Sequence, residues 1–148
     1  MSKQYLNFVQ KSFKYLIFLL FVSNLDASRD IDITKYLSEI EIVSKYKDRK
    51  KGLMYRRSIP NNYGMLFVWP YEGQQCMWMK NTYVPLSVAY MDIRGKIIEI
   101  YDMVPFSKDS VCSTKAAKYA LEVNSGWFEE KDINIGDSIE VKKLFSND

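Results

Sequence analysis

The chain has 148 residues, of which 47% are hydrophobic and 15% aromatic, so it can bury one core but is short for two domains. It contains no histidine, which excludes the usual general base near neutral pH and the commonest metal ligand. The net charge is +3, and three of the lysines lie within the first 27 residues, so the remainder is almost neutral. Nucleic-acid binding needs an excess of basic residues and is therefore not predicted.

The first 27 residues predict a signal peptide or a hydrophobic anchor. Lys3, Lys11 and Lys14 precede an apolar run at residues 15–22, which is the order found in export signals. This run is much shorter than the roughly 20 apolar residues that span a bilayer. We therefore expect residues 28–148 to form one exported domain, periplasmic or extracytoplasmic, with a tether through an uncleaved N-terminus as the alternative.

The next part of the chain predicts a strand, a charged segment and a second strand. Residues 37–43 alternate between apolar and polar side chains, as a strand does. Residues 45–51 are mostly charged and end at a glycine, which indicates a turn or a short helix. A second apolar strand follows at residues 65–69, with a turn at residues 72–73.

The rest of the chain predicts five more short strands. They lie, in chain order, from Cys76 up to Pro85 and at residues 86–91, 96–104, 118–123 and 138–144. A turn at 92–95, a polar loop at 105–117 and a short helical turn at 126–132 separate them. Short strands at near-regular spacing favour a sandwich or a barrel. We predict a compact, single-domain, all-β fold, a jelly-roll-like β-sandwich with one or two short helical turns.

The two cysteines, Cys76 and Cys112, leave two structures open. In an oxidising compartment they could form a disulfide. Alternatively, Cys76 is a small buried apolar residue and Cys112 lies in a loop. Spacing along the chain does not decide between them, because a disulfide depends on the separation of the Cα atoms in space.

Six short motifs follow one another along the chain. They are Gly52-Leu53-Met54-Tyr55-Arg56, Gly64-Met65-Leu66-Phe67, Trp78-Met79-Lys80-Asn81-Thr82, Pro85-Leu86, Leu121-Glu122-Val123 with Gly126, and Gly136-Asp137. In this order they resemble the DUF192 (UPF0127) family over about residues 50–141. The resemblance implies a compact β-sandwich that is often exported or membrane-tethered in bacteria, and it implies no generally agreed activity.

The chain departs from the family pattern at two positions. Met77 stands before Trp78 where the family usually has phenylalanine, which exchanges one bulky apolar residue for another. Ser87 follows Pro85-Leu86 where the family usually has aspartate. A family site that needs that carboxylate is therefore expected to be altered here.

The segment around Trp78 predicts a binding site. On a strand, Trp78 and Lys80 point to one face, and Met77, Met79 and Asn81 point to the other. An indole beside an ammonium and an amide can hold a polar ligand between a flat apolar surface and directed hydrogen bonds. The alternative is that Trp78 is buried, that the Lys80 side chain extends to solvent, and that Asn81 belongs to a turn.

Arg56 and Glu122 complete the predicted set of ligand-binding residues. Arg56 could pair with a buried carboxylate or hold an anionic ligand. Glu122 lies between two apolar residues of a strand, so it faces away from them and is a plausible partner for Arg56 or Lys80. Gly52 would allow a close backbone approach or a positive φ.

The remaining basic residues, two aspartates and the methionines are more typical of structural roles than of a site. The basic stretch is Lys45, Lys47, Arg49, Lys50, Lys51, Arg56 and Arg57. It is either a solvated face or a surface for anionic lipid or polymer. Asp92 and Asp137 adjoin turns and are predicted to be turn carboxylates. The methionines are spread over many motifs, which favours core packing over a copper site, so we predict no metal and no cofactor.

These features predict a binding or accessory domain for a polar ligand of the cell envelope, such as a carbohydrate. A small envelope enzyme that uses Lys80 with Glu122 is the first alternative. A domain that acts through contacts with an envelope protein is the second. Membrane contact is expected only through the N-terminal segment.

Overall fold

A computed structural model describes residues 28–145, so the predicted signal peptide lies outside the described residues. Within this range, nine strands are joined by two α-helices and two 3-10 helices. The strands are β1 (Asp30–Ile31), β2 (Glu39–Val43), β3 (Tyr63–Gly73), β4 (Cys76–Met77), β5 (Leu86–Met91), β6 (Ile97–Met103), β7 (Val111–Cys112), β8 (Ala117–Asn124) and β9 (Ser138–Ile139). The helices are α1 (Tyr46–Lys51) and α2 (Trp127–Glu130), with 3-10 helices at Ile33–Lys35 and Val141–Phe145.

Five strands form the main sheet, in the order β2-β3-β8-β5-β6. The β2–β3 pair is parallel, and the other three pairs are antiparallel. Two smaller sheets pair β1 with β9 and β4 with β7. Strand β8 is the middle strand of the main sheet, so the residues at its centre are far from either edge.

Both faces of the main sheet are covered by apolar side chains. Leu121 and Val123 point from β8 into one cluster, which includes Trp127 and Phe128. Ala120 points into a second cluster on the other face, which we call the inner cluster and which contains residues of β3, β4 and β5. A polar side chain on the inner face of β8 is therefore removed from water.

The predicted all-β fold is confirmed. The strand predicted at residues 86–91 coincides with β5, and those predicted at 37–43, 65–69, 96–104 and 118–123 correspond to β2, β3, β6 and β8. The charged segment at 45–51 contains α1, and the helical turn at 126–132 contains α2. The sandwich or jelly-roll arrangement stays a prediction, since the pairing defines one five-stranded sheet and two small ones.

Two predicted strands are shorter than expected. The strand that begins at Cys76 ends at Met77, because the chain then turns at Asn81, whose φ of 56° is left-handed. The strand predicted at 138–144 ends at Ile139 and continues as a 3-10 helix. Its partner β1 ends at Ile31, whose carbonyl accepts the last bond of the ladder from the Glu140 N–H (3.1 Å), and the chain then enters the 3-10 helix Ile33–Lys35.

The predicted loop at residues 105–117 contains strand β7, which was missed. In the β4–β7 pair, Cys76 lies directly opposite Cys112, and the two form a disulfide with their Cα atoms 4.0 Å apart. The alternative of a buried free Cys76 is wrong, since this residue is exposed and bonded.

Asp92 and Asp137 are turn carboxylates, as predicted. Asp92 Oδ1 accepts hydrogen bonds from the N–H groups of Arg94 (2.8 Å) and Lys96 (2.9 Å). Asp137 is buried and accepts from the Arg29 guanidinium (2.7 Å) and from the N–H groups of Arg29 (3.1 Å) and Asn134 (2.9 Å). Asp137 thus fastens the start of the domain to its last loop.

We expect Asp137→Ala to lower the free energy of unfolding by about 2 kcal/mol, because it leaves several donors without their acceptor. Urea denaturation at neutral pH measures the loss. Asp30→Ala, which removes a nearby exposed carboxylate, is the matched control and should change stability by less than about 0.5 kcal/mol. Equal effects of the two substitutions would contradict the role assigned to Asp137.

Candidate functional site

A cavity of about 310 Å³ opens on the inner face of the main sheet. Helix α1 and the turn after it form one side, and the segment after β4 forms the other. Gly52 ends α1 with a φ of 46°, and a Cβ atom there would lie 3.4 Å from the Phe67 ring. The positive φ and the close approach predicted for this glycine are both confirmed, and together they bring α1 against the sheet.

Glu122 lies on the sheet side of the cavity, near the centre of β8. Its neighbours in register are Met65 of β3 and Val88 of β5, both apolar and buried. The residue is only 3% exposed, and its carboxyl group makes no hydrogen bond or ion pair with any residue of the range 28–145. Burial raises the pKa of Glu122 to about 8, so the group is mostly protonated at neutral pH.

Trp78 forms part of the cavity wall and is 37% exposed. The Lys80 Nζ atom lies 5.2 Å from the centre of its ring, within the range of a cation–π contact. Lys80 itself does not line the cavity and forms no ion pair with Glu122. The structure thus brings Trp78 and Glu122 to one cavity and places Lys80 beside it, across the indole.

Aromatic and basic residues that the sequence-based prediction missed complete the wall and rim. Trp69 stacks on Phe67 with ring centres 6.1 Å apart, and Arg49 lies 5.8 Å from the Trp69 ring. Lys50 and Lys51 line the cavity from the end of α1. The basic stretch and the glycine after it were the available signal, because a helix that ends at a close-approach glycine presents its last turn to the sheet.

Arg56 lies outside the cavity and does not pair with Glu122. Its guanidinium donates to Glu41 (2.6 Å) and to the Tyr63 hydroxyl (2.8 Å), and Tyr63 in turn donates to Glu41 (2.6 Å). Hydrogen bonds from Tyr63 and Arg56 keep the pKa of Glu41 below its ordinary value, although partial burial opposes them. Glu41, at the sheet edge, is the carboxylate that Arg56 reaches.

Asn81 has a structural role in the turn after Trp78. Its amide donates to the Tyr55 hydroxyl (2.9 Å), and its carbonyl accepts from the Tyr55 N–H (2.8 Å). Both residues have a left-handed backbone conformation, which is uncommon for residues other than glycine. Asn81 therefore belongs to a turn, as the alternative prediction had it, and it does not line the cavity.

Ser87 lies on the face of the sheet opposite the cavity. Its hydroxyl donates to Asp102, the residue opposite it on β6, and accepts from the Gly126 N–H (2.9 Å). Gly126 is the residue that precedes α2. The departure from the family pattern at this position thus affects how α2 is attached and leaves the cavity unchanged.

Among residues 28–145, no cluster of three or more Asp, Glu, Cys or His side chains could hold a metal ion. In the same range, no helix is long and apolar enough to cross a membrane.

Comparison with known proteins gives a family and a fold. The DUF192 family model, described as "Uncharacterized ACR, COG1430", matches residues 29–141. No curated protein matches the chain. A crystal structure of a candidate transcription regulator from Sinorhizobium meliloti 1021 is similar, with a TM-score of 0.66 and 35% identity over 67% of this chain and 78% of that one. A protein of unknown function from Novosphingobium aromaticivorans DSM 12444 has a TM-score of 0.65 and 25% identity, over 67% and 71% of the two chains.

Proposed function

Because this chain belongs to the DUF192 family, whose description names no activity, we propose a function from the cavity: it is an extracytoplasmic binding or accessory domain for a small polar ligand, such as a carbohydrate. The observation that carries this proposal is Glu122, a buried carboxyl group without a partner on the wall of a cavity. Burying a polar group without a hydrogen bond costs about 1–3 kcal/mol. A ligand that supplies the missing partner would recover that free energy.

The size and lining of the cavity support a small ligand. Its volume of about 310 Å³ is at the lower end of the roughly 300–1,000 Å³ usual for ligand pockets. The protonated Glu122 can donate one hydrogen bond and accept others. Trp78, which is 37% exposed, offers a flat apolar surface of the kind on which sugar rings stack.

Two features support an extracytoplasmic location. Lysines followed by a short apolar run at the N-terminus have the order of an export signal. The Cys76–Cys112 disulfide suits an oxidising compartment, since thiols stay reduced in the cytosol.

A protein-contact function is the second candidate, and one surface favours it. Tyr83 and Phe106 stack edge to face with ring centres 4.9 Å apart, and both rings are more than 40% exposed. Arg57 lies 5.3 Å from the Tyr83 ring. Exposed aromatic rings beside an arginine are enriched at protein interfaces. The enzyme alternative has weaker support, because Lys80 and Glu122 make no contact.

Trp78→Ala tests the proposed function. A screen of sugars and cell-wall fragments by thermal shift should find a compound that raises the unfolding midpoint of the wild type. The substitution should weaken its binding about tenfold or more, because it removes an aromatic wall. It should cost about 1–2 kcal/mol of stability, because the residue is only 37% exposed.

Tyr83→Ala is the matched control, since Tyr83 is exposed to a similar degree (41%) and lies outside the cavity. It should leave the thermal shift intact. A compound that stabilises both variants as well as the wild type would place its site elsewhere and contradict the proposal.

A further inference from the structure

The two ends of the cavity favour opposite charges. At the sheet, Glu122 lacks a partner among the described residues, so an ionised carboxylate there needs a cation brought from outside. At the rim, Lys50 and Lys51 are exposed and form no ion pair with any residue of the range 28–145. The inner end thus suits a positive group, and the outer end suits a negative one.

The wall between these ends is aromatic and already carries two cations of the protein itself. Aromatic faces attract positive charge through their quadrupole and do not attract negative charge. The rings of Trp78 and Trp69 already show this preference, because each holds a basic side chain of the protein over its face, at 5.2 and 5.8 Å. An anion that entered alone would be drawn to the rim, but at the inner end it would be repelled once Glu122 ionises.

We propose that the cavity binds a small zwitterion whose ammonium group pairs with Glu122 and whose carboxylate or phosphate pairs with Lys50 and Lys51. This inference rests on the proposed function and names its ligand class, a compound with an amine at one end and an acidic group at the other. A simple cation satisfies only the inner end and is opposed by the basic rim. A neutral sugar satisfies the hydrogen bonds but neither charge.

Binding of this ligand is coupled to release of one proton. The Glu122 carboxyl group gives its proton to solvent when the ammonium arrives, and the resulting ion pair is shielded from water. The groups that face Glu122 set the direction of this step. Strands β3 and β4 present apolar residues, and β5 presents Tyr90, which stays neutral because burial raises its pKa. The charged groups of the cavity come from α1, which contributes Arg49, Lys50 and Lys51 beside the neutral Tyr46.

Isothermal titration with matched probes tests the inference. The probes are the ω-amino acids from β-alanine to 6-aminohexanoate, the ω-hydroxy acids of equal length and the corresponding alkylamines. We expect one ω-amino acid to bind most tightly, with an affinity that rises about tenfold per pH unit between pH 6 and pH 8. Heats measured in buffers of different ionisation enthalpy should show about one proton released per molecule bound.

Variants of the two ends separate their contributions. Glu122→Gln keeps the shape of the side chain but cannot ionise, so it should weaken binding at least tenfold at pH 8 and remove the pH dependence. Lys50→Gln with Lys51→Gln should weaken binding of the amino acid several-fold and strengthen binding of the alkylamine, because the basic rim no longer opposes a simple cation. Lys47→Gln, on the same helix but outside the cavity, is the control and should bind as the wild type does.

Two results would overturn the inference. If the hydroxy acids bind as tightly as the amino acids, without pH dependence, the ligand is not a zwitterion, although a polar ligand in the cavity still stands. If none of the probes binds at millimolar concentration while a sugar binds in a manner that depends on Trp78, the zwitterion is excluded and the proposed function is retained. If the sugar screen also finds no ligand, both the zwitterion inference and the proposed binding function are contradicted.

Discussion

The free energy of unfolding should fall by about 3 to 5 kcal/mol between pH 5 and pH 9, and Glu122→Gln should abolish most of this fall. Burial raises the pKa of Glu122 from 4.5 to about 8 in the folded protein. Each pKa unit corresponds to about 1.4 kcal/mol of difference between the two protonation states. Among the described residues, no other carboxyl group belongs to a residue as little exposed as Glu122 (3%).

The sign of the effect follows from the proton count. Between pH 4.5 and pH 8 the folded protein keeps the Glu122 proton and the unfolded chain has lost it. The folded state therefore binds more protons, and stability declines as the pH rises through this interval. Above about pH 8 both states are ionised, and this contribution becomes constant.

The pH window has little interference from other groups. The chain contains no histidine, so no imidazole titrates between pH 5 and pH 8. Hydrogen bonds hold the pKa values of Asp92 and Asp137 below the ordinary range, so the stability they contribute is already complete above about pH 5 and is lost only in acid. The α-amino group titrates near pH 8 but is present in both proteins, so its effect cancels in the comparison.

Urea denaturation of both proteins at several pH values measures the effect. At pH 5 the two should agree within about 1 kcal/mol, since a neutral amide replaces a largely neutral acid, and at pH 9 the variant should be the more stable. Glu122→Met provides a second test, because an apolar side chain of similar length should stabilise the protein at every pH. A flat wild-type profile would mean that water enters the cavity and solvates the carboxylate.

A loss of stability caused by a buried, ionisable side chain is expected at a functional site. A carboxyl group at the centre of an apolar face opposes folding increasingly as the pH rises, and a methionine at position 122 would give a more stable protein. Residues that carry a strongly shifted pKa and face a cavity are enriched among functional groups. The pH profile therefore tests the physical premise of the proposed ligand site without any ligand.

Local pattern was sufficient to predict most of the main sheet. Strand β5 is apolar at nearly every position, begins after Pro85 and ends at a turn, so its bounds were readable from the sequence. The orientation of Glu122 could be predicted from the sequence, since its apolar neighbours Leu121 and Val123 in β8 indicate that Glu122 points to the opposite face of the sheet. That the other face is also buried depends on residues brought in by β3, β4 and β5, and no local pattern contains them.

The candidate site was predicted less well, because its members meet only through tertiary structure. Arg56 and Glu122 have complementary charges, but Glu41 at the sheet edge is the nearer partner of the arginine. The sequence pattern favoured a solvated surface for Lys50 and Lys51. They lie at the rim of the cavity because Gly52 lets α1 approach Phe67. The β4–β7 pair has two residues in each strand, too few to give a periodic signal.

Loss of the Cys76–Cys112 disulfide should lower the free energy of unfolding by about 3–4 kcal/mol, the value expected from loop-closure entropy for this loop. The cysteines are 36 residues apart in sequence, so the bond restricts a long segment of the unfolded chain. The paired strands are two residues long, and so short a ribbon is barely stable by itself. The bond thus supports the segment that carries Met77 into the core and Trp78 to the cavity wall.

The measurement compares the wild type with the Cys76→Ser/Cys112→Ser double variant in urea, each with and without a reducing dithiol. Reduction should destabilise the wild type as much as the double substitution does and should leave the variant unchanged. Two hydrogen bonds next to the β4–β7 pair do not involve the disulfide. They run from the Tyr90 hydroxyl to the Val111 carbonyl (2.7 Å) and from the Ser113 N–H to the Gln75 carbonyl (2.8 Å). A loss below about 1 kcal/mol would show that these bonds and the buried Met77 hold the ribbon without the disulfide. A full loss, accompanied by weaker ligand binding, would mean that the cavity wall forms only in an oxidising compartment.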